Sequence, residues 1–349
     1  MTTQPTTADR TDRTAGAERP LDTCAAVRRR YGTADDVAIE RIARPTIADD
    51  QVLVEVGAAG LDRGVWHLVT GLPYLVRLVG YGLRRPKQPV LGGDVAGRVV
   101  EVGPGVTRFA PGDEVMGIAD GSFAEWAVAD EAKLVHRPGN VAVDEAAVAP
   151  ISGSTALQAL TEVAQVQPGD RVLVVGASGG VGTFAVQLAV ALGAEVTGVA
   201  STAKLDLVRS LGAVAVVDHT TTALTDLDER FDVIVDTGGR NRLRDLRSVL
   251  APSGTLVIVG GEGAGKITGG IGRQIRAALW SPFLRQRLVF FMGEEDRRLL
   301  EPLADHLADG SVVPAIGRRC TLDEVPEALR LMEAGRLAGK TVIEVGARS

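Results

Sequence analysis

The alternation of apolar and polar positions changes period along the chain, and the clearest run lies at 171–204, RVLVVGASGGVGTFAVQLAVALGAEVTGVASTAK. Val172 to Val175 is continuously apolar, the pattern of a strand buried on both faces. Val181, Phe184, Ala185, Leu188, Ala189 and Leu192 then recur at helical spacing and predict one apolar stripe about three turns long. Gly193 ends that helix, and Glu195 to Ala200 predicts the next parallel strand, completing a βαβ unit. Upstream, residues 22–145 read as β-rich. Short runs such as Gln51–Val56 and Val95–Val102 are punctuated by Pro104-Gly105, Pro111-Gly112-Asp113 and Pro138-Gly139. Residues 144–165 read as helical. Downstream, Leu205, Val208 and Leu211 form a helical stripe, and 241–250 is helical. Strands are predicted at Ala215–Asp218, Phe231–Asp236 and Gly254–Val259. Alternating β and α at this spacing predicts an α/β fold with a doubly wound parallel sheet. Residues 271–292 predict a helix broken near Pro282 and then a strand, Leu288–Met292. Helices near 295–309 and 323–335 and a strand at Thr341–Val345 close the chain.

The turn between the first strand and helix reads Ala177-Ser178-Gly179-Gly180-Val181-Gly182. It is the dinucleotide fingerprint with Ala177 in the first glycine position. Gly179 lets backbone approach a diphosphate, Gly182 lets the helix press on the sheet, and free amides at the helix start favour an anion. About 20 residues on, where an NAD site offers Asp or Glu to the ribose, the strand runs out into Ser201, Thr202 and Lys204. Two hydroxyls and a cation suit a 2′-phosphate, so NADPH is the expected cofactor; a solvated lysine is the plainer reading of Lys204. Strand ends at Asp236-Thr237-Gly238-Gly239 and Gly260-Gly261 are candidate ribose and nicotinamide contacts, or turn glycines alone. Arg273, Arg276, Arg285 and Arg287 read as the solvated face of an amphipathic element or a grip on a phosphate-bearing tail.

Composition narrows the partners. With 349 residues, 45% hydrophobic, the chain is long for one domain. A net charge of −6 without a long basic run argues against nucleic acid. Cys24 and Cys320 are the only cysteines, so no disulfide framework or Cys-rich zinc lobe forms. No stretch of about 20 apolar residues spans a bilayer. Residues 1–21 lack an apolar core and read as a disordered tail, not a signal peptide. The cytoplasm is the expected compartment.

Four segments resemble the medium-chain dehydrogenase/reductase superfamily on its zinc-free quinone oxidoreductase side. They are VLGGDVAGRVVEVGPGVTRFAPGDEV at 90–115, AAVAPISGSTALQAL at 146–160, PGDRVLVVGASGGVG at 168–182, and AGRLAGKTVIEV at 334–345. The resemblance implies a GroES-like β domain at 22–149, an inserted Rossmann NADPH-binding domain at 150–293, and a return segment at 294–349 completing the first. It places the fingerprint loop and Lys204 at the family's NADPH-phosphate positions, and His219 where a tyrosine packs near that phosphate. It puts Thr155 near the nicotinamide, Phe291 on the strand that closes over it, and Lys340 in a Gly-Lys pair near the cofactor, unless it is a surface lysine.

It also sets Asp62, Gly93 and Ser152-Gly153 at the zinc-ligand positions of other members. Three metal ligands are not available there, and no metal is expected. What remains is hydride transfer from NADPH to a quinone or to the β-carbon of an α,β-unsaturated carbonyl. The candidate donors facing it are Tyr74, His67 and Asp62; Tyr74 and His67 read equally as pocket lining. Enoyl-thioester reduction and a non-catalytic NADPH-binding role are the alternatives. Residues 72–85, LPYLVRLVGYGLRR, are expected to wall a hydrophobic substrate pocket or form an oligomer contact. The resemblance suggests a homodimer through the Rossmann edge.

Overall fold

The computed structural model describes residues 22–74, 77, 82–260, 271–291 and 293–345. The expected tail at 1–21, Gly261, Met292, and Tyr81 with most of the apolar stretch before it lie outside the described residues.

The N-terminal strands β1 (Asp22–Arg28) and β2 (Val37–Ala43) pair with each other. β3 (Gln51–Leu61) leads to helix α1 (Arg63–Thr70), then to β4 (Asp94–Val102), β5 (Glu114–Ile118), β6 (Trp126–Asp130) and β7 (Leu134–His136). Helices α2 (Val143–Ala147) and α3 (Pro150–Gln158) follow, α3 running into a π-helical turn that ends at Gln165. The βα alternation then begins: β8 (Arg171–Val175), α4 (Gly180–Ala191), β9 (Glu195–Ala200), α5 (Leu205–Ser210), β10 (Ala215–Asp218), β11 (Phe231–Asp236), α6 (Leu243–Ser248), β12 (Leu250–Ile258), α7 (Ile271–Trp280) and β13 (Arg287–Phe290). The chain closes with α8 (Arg297–Ala308), β14 (Ile316–Thr321), α9 (Val325–Glu333) and β15 (Lys340–Glu344).

The six strands β8 to β13 form a parallel sheet in the order β10-β9-β8-β11-β12-β13. The order reverses between β8 and β11, and such a switch opens a crevice at the strands' carboxyl ends. A second sheet, β14-β15-β3-β4-β5-β7, has β6 paired to β3. In it β15, from the end of the chain, lies antiparallel to β3. The C-terminal segment thus returns to the N-terminal strands.

Both faces of β8 are buried, Val172 and Val174 toward α3 and α4, Leu173 toward Ile234, Leu246 and Leu256. α4 buries more than the predicted stripe. Val186 and Gln187 are covered as well. A second helix layer, α3, packs on α4, and Gln187 uses its amide on Thr183 O and Val313 N.

Three elements depart from the sequence reading. β12 starts at Leu250, before Gly254. β14 carries two consecutive arginines, Arg318 half-buried and Arg319 exposed, and had no predicted counterpart. Phe291 falls one residue past β13, because β12, the strand β13 pairs with, ends at Ile258 and turns onto Asp236.

Candidate functional site

The fingerprint turn sits at the crevice. Gly176, one residue before the predicted start, takes the tight-turn role, with φ +81°. A Cβ there would lie 2.6 Å from Thr237 Oγ1. At Gly182 a Cβ would lie 2.1 Å from Gly176 O, so only glycine lets α4 press on the turn. Gly179 is different: its nearest neighbour to an added Cβ is Gly176 O at 3.3 Å, which leaves the outer side open. Gly179 caps α4 without a side-chain hydrogen bond, and the first helical bond is Thr183 N–H to Gly179 O at 3.0 Å. The amides of Gly180, Val181 and Gly182 therefore have no carbonyl in the helix to serve, and a diphosphate fits them. Ala177 is fully buried and packs the turn down. Ser178 O accepts the Gly339 N–H at 2.8 Å, tying the turn to the chain leading into β15.

At the far end of the crevice, Ser201, Thr202 and Lys204 follow β9, and His219 follows β10, its amide bonded to Ala200 O at 3.1 Å. His219 is exposed beside the β9 end. The sequence reading found no carboxylate here. The structure corrects that: Asp218, brought alongside by β10–β9 pairing, accepts from Thr202 Oγ1 at 2.5 Å and from Thr220 Oγ1 at 2.7 Å. Those bonds hold its carboxyl below the usual range, so it is charged at neutral pH. Lys204 is not a freely solvated lysine. Its Nζ donates to Leu337 O at 2.6 Å and Gly335 O at 3.1 Å.

At the other end, Thr237 and Gly238 follow β11, and Gly260 follows β12. Asp236 is fully buried and receives Arg273 Nη1 at 2.6 Å and Gly239 N–H at 3.2 Å. Burial pushes its carboxyl above the usual range, with Arg273 opposing. Arg273 also donates to Asn241 O and Gly260 O, so it fastens the ends of β11 and β12 together. Of the four arginines, Arg276, Arg285 and Arg287 are exposed, as a solvated face has them, and Arg273 alone departs from that reading. Arg273 is buried, Arg287 donates to Val163 O, and Arg285 lines a separate surface cleft with Arg244 and Arg247. Thr155 lies near Gly293, where a Cβ would come within 2.8 Å of its Oγ1. Its hydroxyl donates to Ile151 O at 2.7 Å and so offers a lone pair outward. Phe291, beyond β13, packs against the core on that side.

Lys340 is 1% exposed and is no surface lysine. Its Nζ meets Asp94 Oδ2 at 3.1 Å and Ser152 Oγ at 2.9 Å, while Asp94 Oδ1 accepts the Ile151 N–H at 2.7 Å. Three elements, β4, α3 and β15, meet at this one charge pair. It lies directly under the fingerprint, since a Cβ on Gly180 would sit 3.3 Å from Lys340 Cδ and 3.4 Å from Ser152 Oγ. Burial pushes the Asp94 carboxyl up to about 7, with Lys340 opposing and the Asp62 charge adding to the rise. Sequence reading did not pair these residues, although an acid inside the apolar run of β4 was a signal that it needed a buried partner.

Asp62 caps α1, accepting the Val65 N–H at 3.3 Å. By the resemblance to zinc members, the other two positions fall at Gly93 and near Ser152-Gly153. Glycine has no donor, and the Ser152 hydroxyl is engaged by Lys340. Among the described residues no group of three or more His, Cys, Asp or Glu side chains is placed to hold a metal. That donor set does not fit a catalytic zinc. His67, one turn along α1 from Arg63, makes a 2.7 Å bond from Nδ1 to Leu72 O, which directs Nε2 away from that carbonyl. Tyr74 is 43% exposed and stacks under Arg77, whose guanidinium is 4.7 Å from the ring centroid.

Comparisons with known proteins agree with this fold. Residues 48–139 match the alcohol dehydrogenase GroES-like domain, and 211–343 match a domain described as zinc-binding dehydrogenase. The chain is similar to the 2-methylene-furan-3-one reductase of Solanum lycopersicum, 32% identical over 329 residues, covering 90% of this chain and 76% of that protein. It is also similar to the polyketide synthase GfsB of Streptomyces halstedii, 38% identical over 267 residues, 74% of this chain but only 5% of that synthase's length. The quinone oxidoreductase of Coxiella burnetii superposes with a TM-score of 0.82 at 25% identity, covering 93% of this chain and all of that one.

Proposed function

Because the chain belongs to the medium-chain dehydrogenase/reductase superfamily, on its quinone-oxidoreductase side, we propose that it is an NADPH-dependent reductase. In this reading hydride passes to a quinone or to the β-carbon of an α,β-unsaturated carbonyl, with no metal. The observation that carries this reading is the residue set at the zinc-ligand positions. Asp62 serves as a helix cap, Gly93 has no donor, and Ser152 is taken by Lys340. A set of this kind does not offer the three ligands of a Lewis acid that would ease alcohol oxidation, whereas an already electrophilic acceptor does without one.

When bound, the nicotinamide supplies the hydride. The residues of the chain orient and protonate. The amides of Gly180, Val181 and Gly182 hold the diphosphate. Ser201, Thr202, Lys204 and His219 surround the adenosine end, where Lys204 recognises the 2′-phosphate. Thr155, Gly238, Gly260 and Phe291 bound the nicotinamide end, and Lys340 with Asp94 fixes the floor beneath. As hydride reaches the β-carbon, the alkene's electron pair moves toward the carbonyl oxygen, and a proton completes the product. Tyr74 is the first candidate to give that proton. The Arg77 guanidinium over its ring favours the charge left behind. His67 and Asp62 follow in order. A quinone takes its protons directly from water.

The proposal includes a hydrophobic small-molecule substrate, no nucleic-acid partner and a homodimer. The last is supported by the outer edge of β13, which has no partner strand among the described residues, and by Trp280, Phe283 and Phe290 exposed beside it. Both cysteines are free and buried, which suits a reducing cytoplasm. No described helix is long and apolar enough to cross a membrane. The test is an NADPH-oxidation panel of quinones, enals, enones and enoyl thioesters beside NADH, with light scattering for the mass. Oxidation with at least one such acceptor supports the reading. Tight NADPH binding without oxidation by any of them defeats it.

A further inference from the structure

Arg28, the last residue of β1, is 2% exposed. Its main-chain N–H is bonded to Pro89 O, but Nε and Nη1 of its guanidinium have no hydrogen-bond partner among the described residues. A buried guanidinium left unpaired is costly, and native structures rarely leave one without an anion. Its surroundings do not supply one. The Tyr31 ring lies 5.6 Å from Arg28, and a second guanidinium, Arg77, stacks on the same ring at 4.2 Å. Neither arginine has a carboxylate partner among the described residues. Residues 75–81 contain no acidic residue. Arg77 is offset by carbonyls at the end of α1, Gly71 O at 2.9 Å and Thr70 O at 3.3 Å, whereas Nε and Nη1 of Arg28 have no acceptor among the described residues. The pair is packed onto α1. A Cβ on Gly71 would strike Tyr31 at 2.5 Å and Arg77 at 2.6 Å, and Gly32 N–H binds Val69 O. The helix that carries His67 therefore ends against this cationic cluster.

Building on the reductase reading, we propose that Arg28, flanked by Tyr31 and Arg77, is a subsite for an oxyanion on the tail of the electrophilic substrate, a carboxylate or a phosphate ester. A planar fork with free N–H groups matches either group. The α7 arginines considered from sequence do not compete for this role, since Arg273 is spent on Asp236.

The test compares charged and neutral acceptors of the same reactive group. Crotonyl-CoA is set against crotonyl-N-acetylcysteamine, and 4-oxopent-2-enoate against pent-3-en-2-one. In Arg28→Met the charged-to-neutral ratio of kcat/KM falls about tenfold or more for one pair, and Arg28→Lys restores part of it. The pair that responds identifies phosphate or carboxylate as the source. A ratio that does not move in either pair overturns the subsite. If no acceptor oxidises NADPH, the reductase reading fails. The subsite is then judged by calorimetry with CoA and with succinate. Heat with the wild type for either probe, abolished in Arg28→Met and retained in Arg28→Lys, supports it, and no heat overturns it. Residues 2–21 carry Asp9, Asp12 and Glu18. Binding that appears only after their removal would show that an internal carboxylate fills the site, which also overturns it.

Discussion

Lys204 Nζ, in the turn after β9, donates to the carbonyl of Leu337 at 2.6 Å, in the segment that leads into β15. The ammonium is thus held by two carbonyls and, among the described residues, by no carboxylate, and partial burial lowers its pKa. A 2′-phosphate offers what the carbonyls do not, a full negative charge. Lys204→Ala is expected to raise KM for NADPH about tenfold and to move KM for NADH much less. Steady-state kinetics with both nucleotides checks this; an unchanged preference contradicts the assignment.

Asp218 works in the opposite direction. It is half-buried, held by Thr202 and Thr220, and its lowered carboxyl pKa keeps it charged at neutral pH beside the same phosphate position. Asp218→Asn is expected to tighten NADPH binding by roughly two- to fivefold at low salt, with the gain shrinking as ionic strength rises. Titration of nucleotide fluorescence at two salt concentrations decides it.

The buried Asp94 makes stability depend on pH. Its carboxyl rises from an ordinary 3.8 to about 7 in the fold. The folded protein therefore keeps a proton that the unfolded chain releases between those values. This contribution is fully present below about pH 4 and is lost as pH rises through about 7. Asp94→Asn lacks that decline. The wild-type minus Asn difference in unfolding free energy should fall with pH across this window, by a few kcal/mol at most. Urea denaturation at a series of pH values measures it; a flat or rising difference contradicts the account.

Tyr74 and His67 separate by substrate. Tyr74→Phe is expected to lower kcat on an enone about a hundredfold or more. On a quinone the loss should be small, because solvent supplies those protons. His67→Gln should have the lesser effect on the enone. Equal losses on both acceptors would indicate a structural role for Tyr74.

The parts of the fold legible in the sequence are those whose signal is local. Val172–Val175, the stripe from Val181 to Leu192 and Glu195–Ala200 each carry their period within a few residues, and β8, α4 and β9 lie there. Gly182 was readable because a helix can approach a strand turn so closely only at glycine. β14 was not readable: Arg318 and Arg319 in a short edge strand break the apolar alternation that marks a strand. The wide burial of α4 depends on α3 lying over it, a fact of tertiary packing. The charge pairs were hidden for the same reason. Asp94 and Lys340 are 246 residues apart, and Arg273 and Asp236 37. Each cation looked solvated until the sheets brought an acid to it. Asp218 was missed because the neighbour that matters lies across a β10–β9 pairing, beyond the stretch following β9.

Hydride transfer itself is tested by isotope. NADPH deuterated at C4 on the transferred face is turned over with an enone, and the product is examined by deuterium NMR. The account predicts one deuterium, at the β-carbon, and hydrogen from solvent at the α-carbon. A product with deuterium elsewhere, or no product from any electrophile while NADPH remains bound, would contradict it.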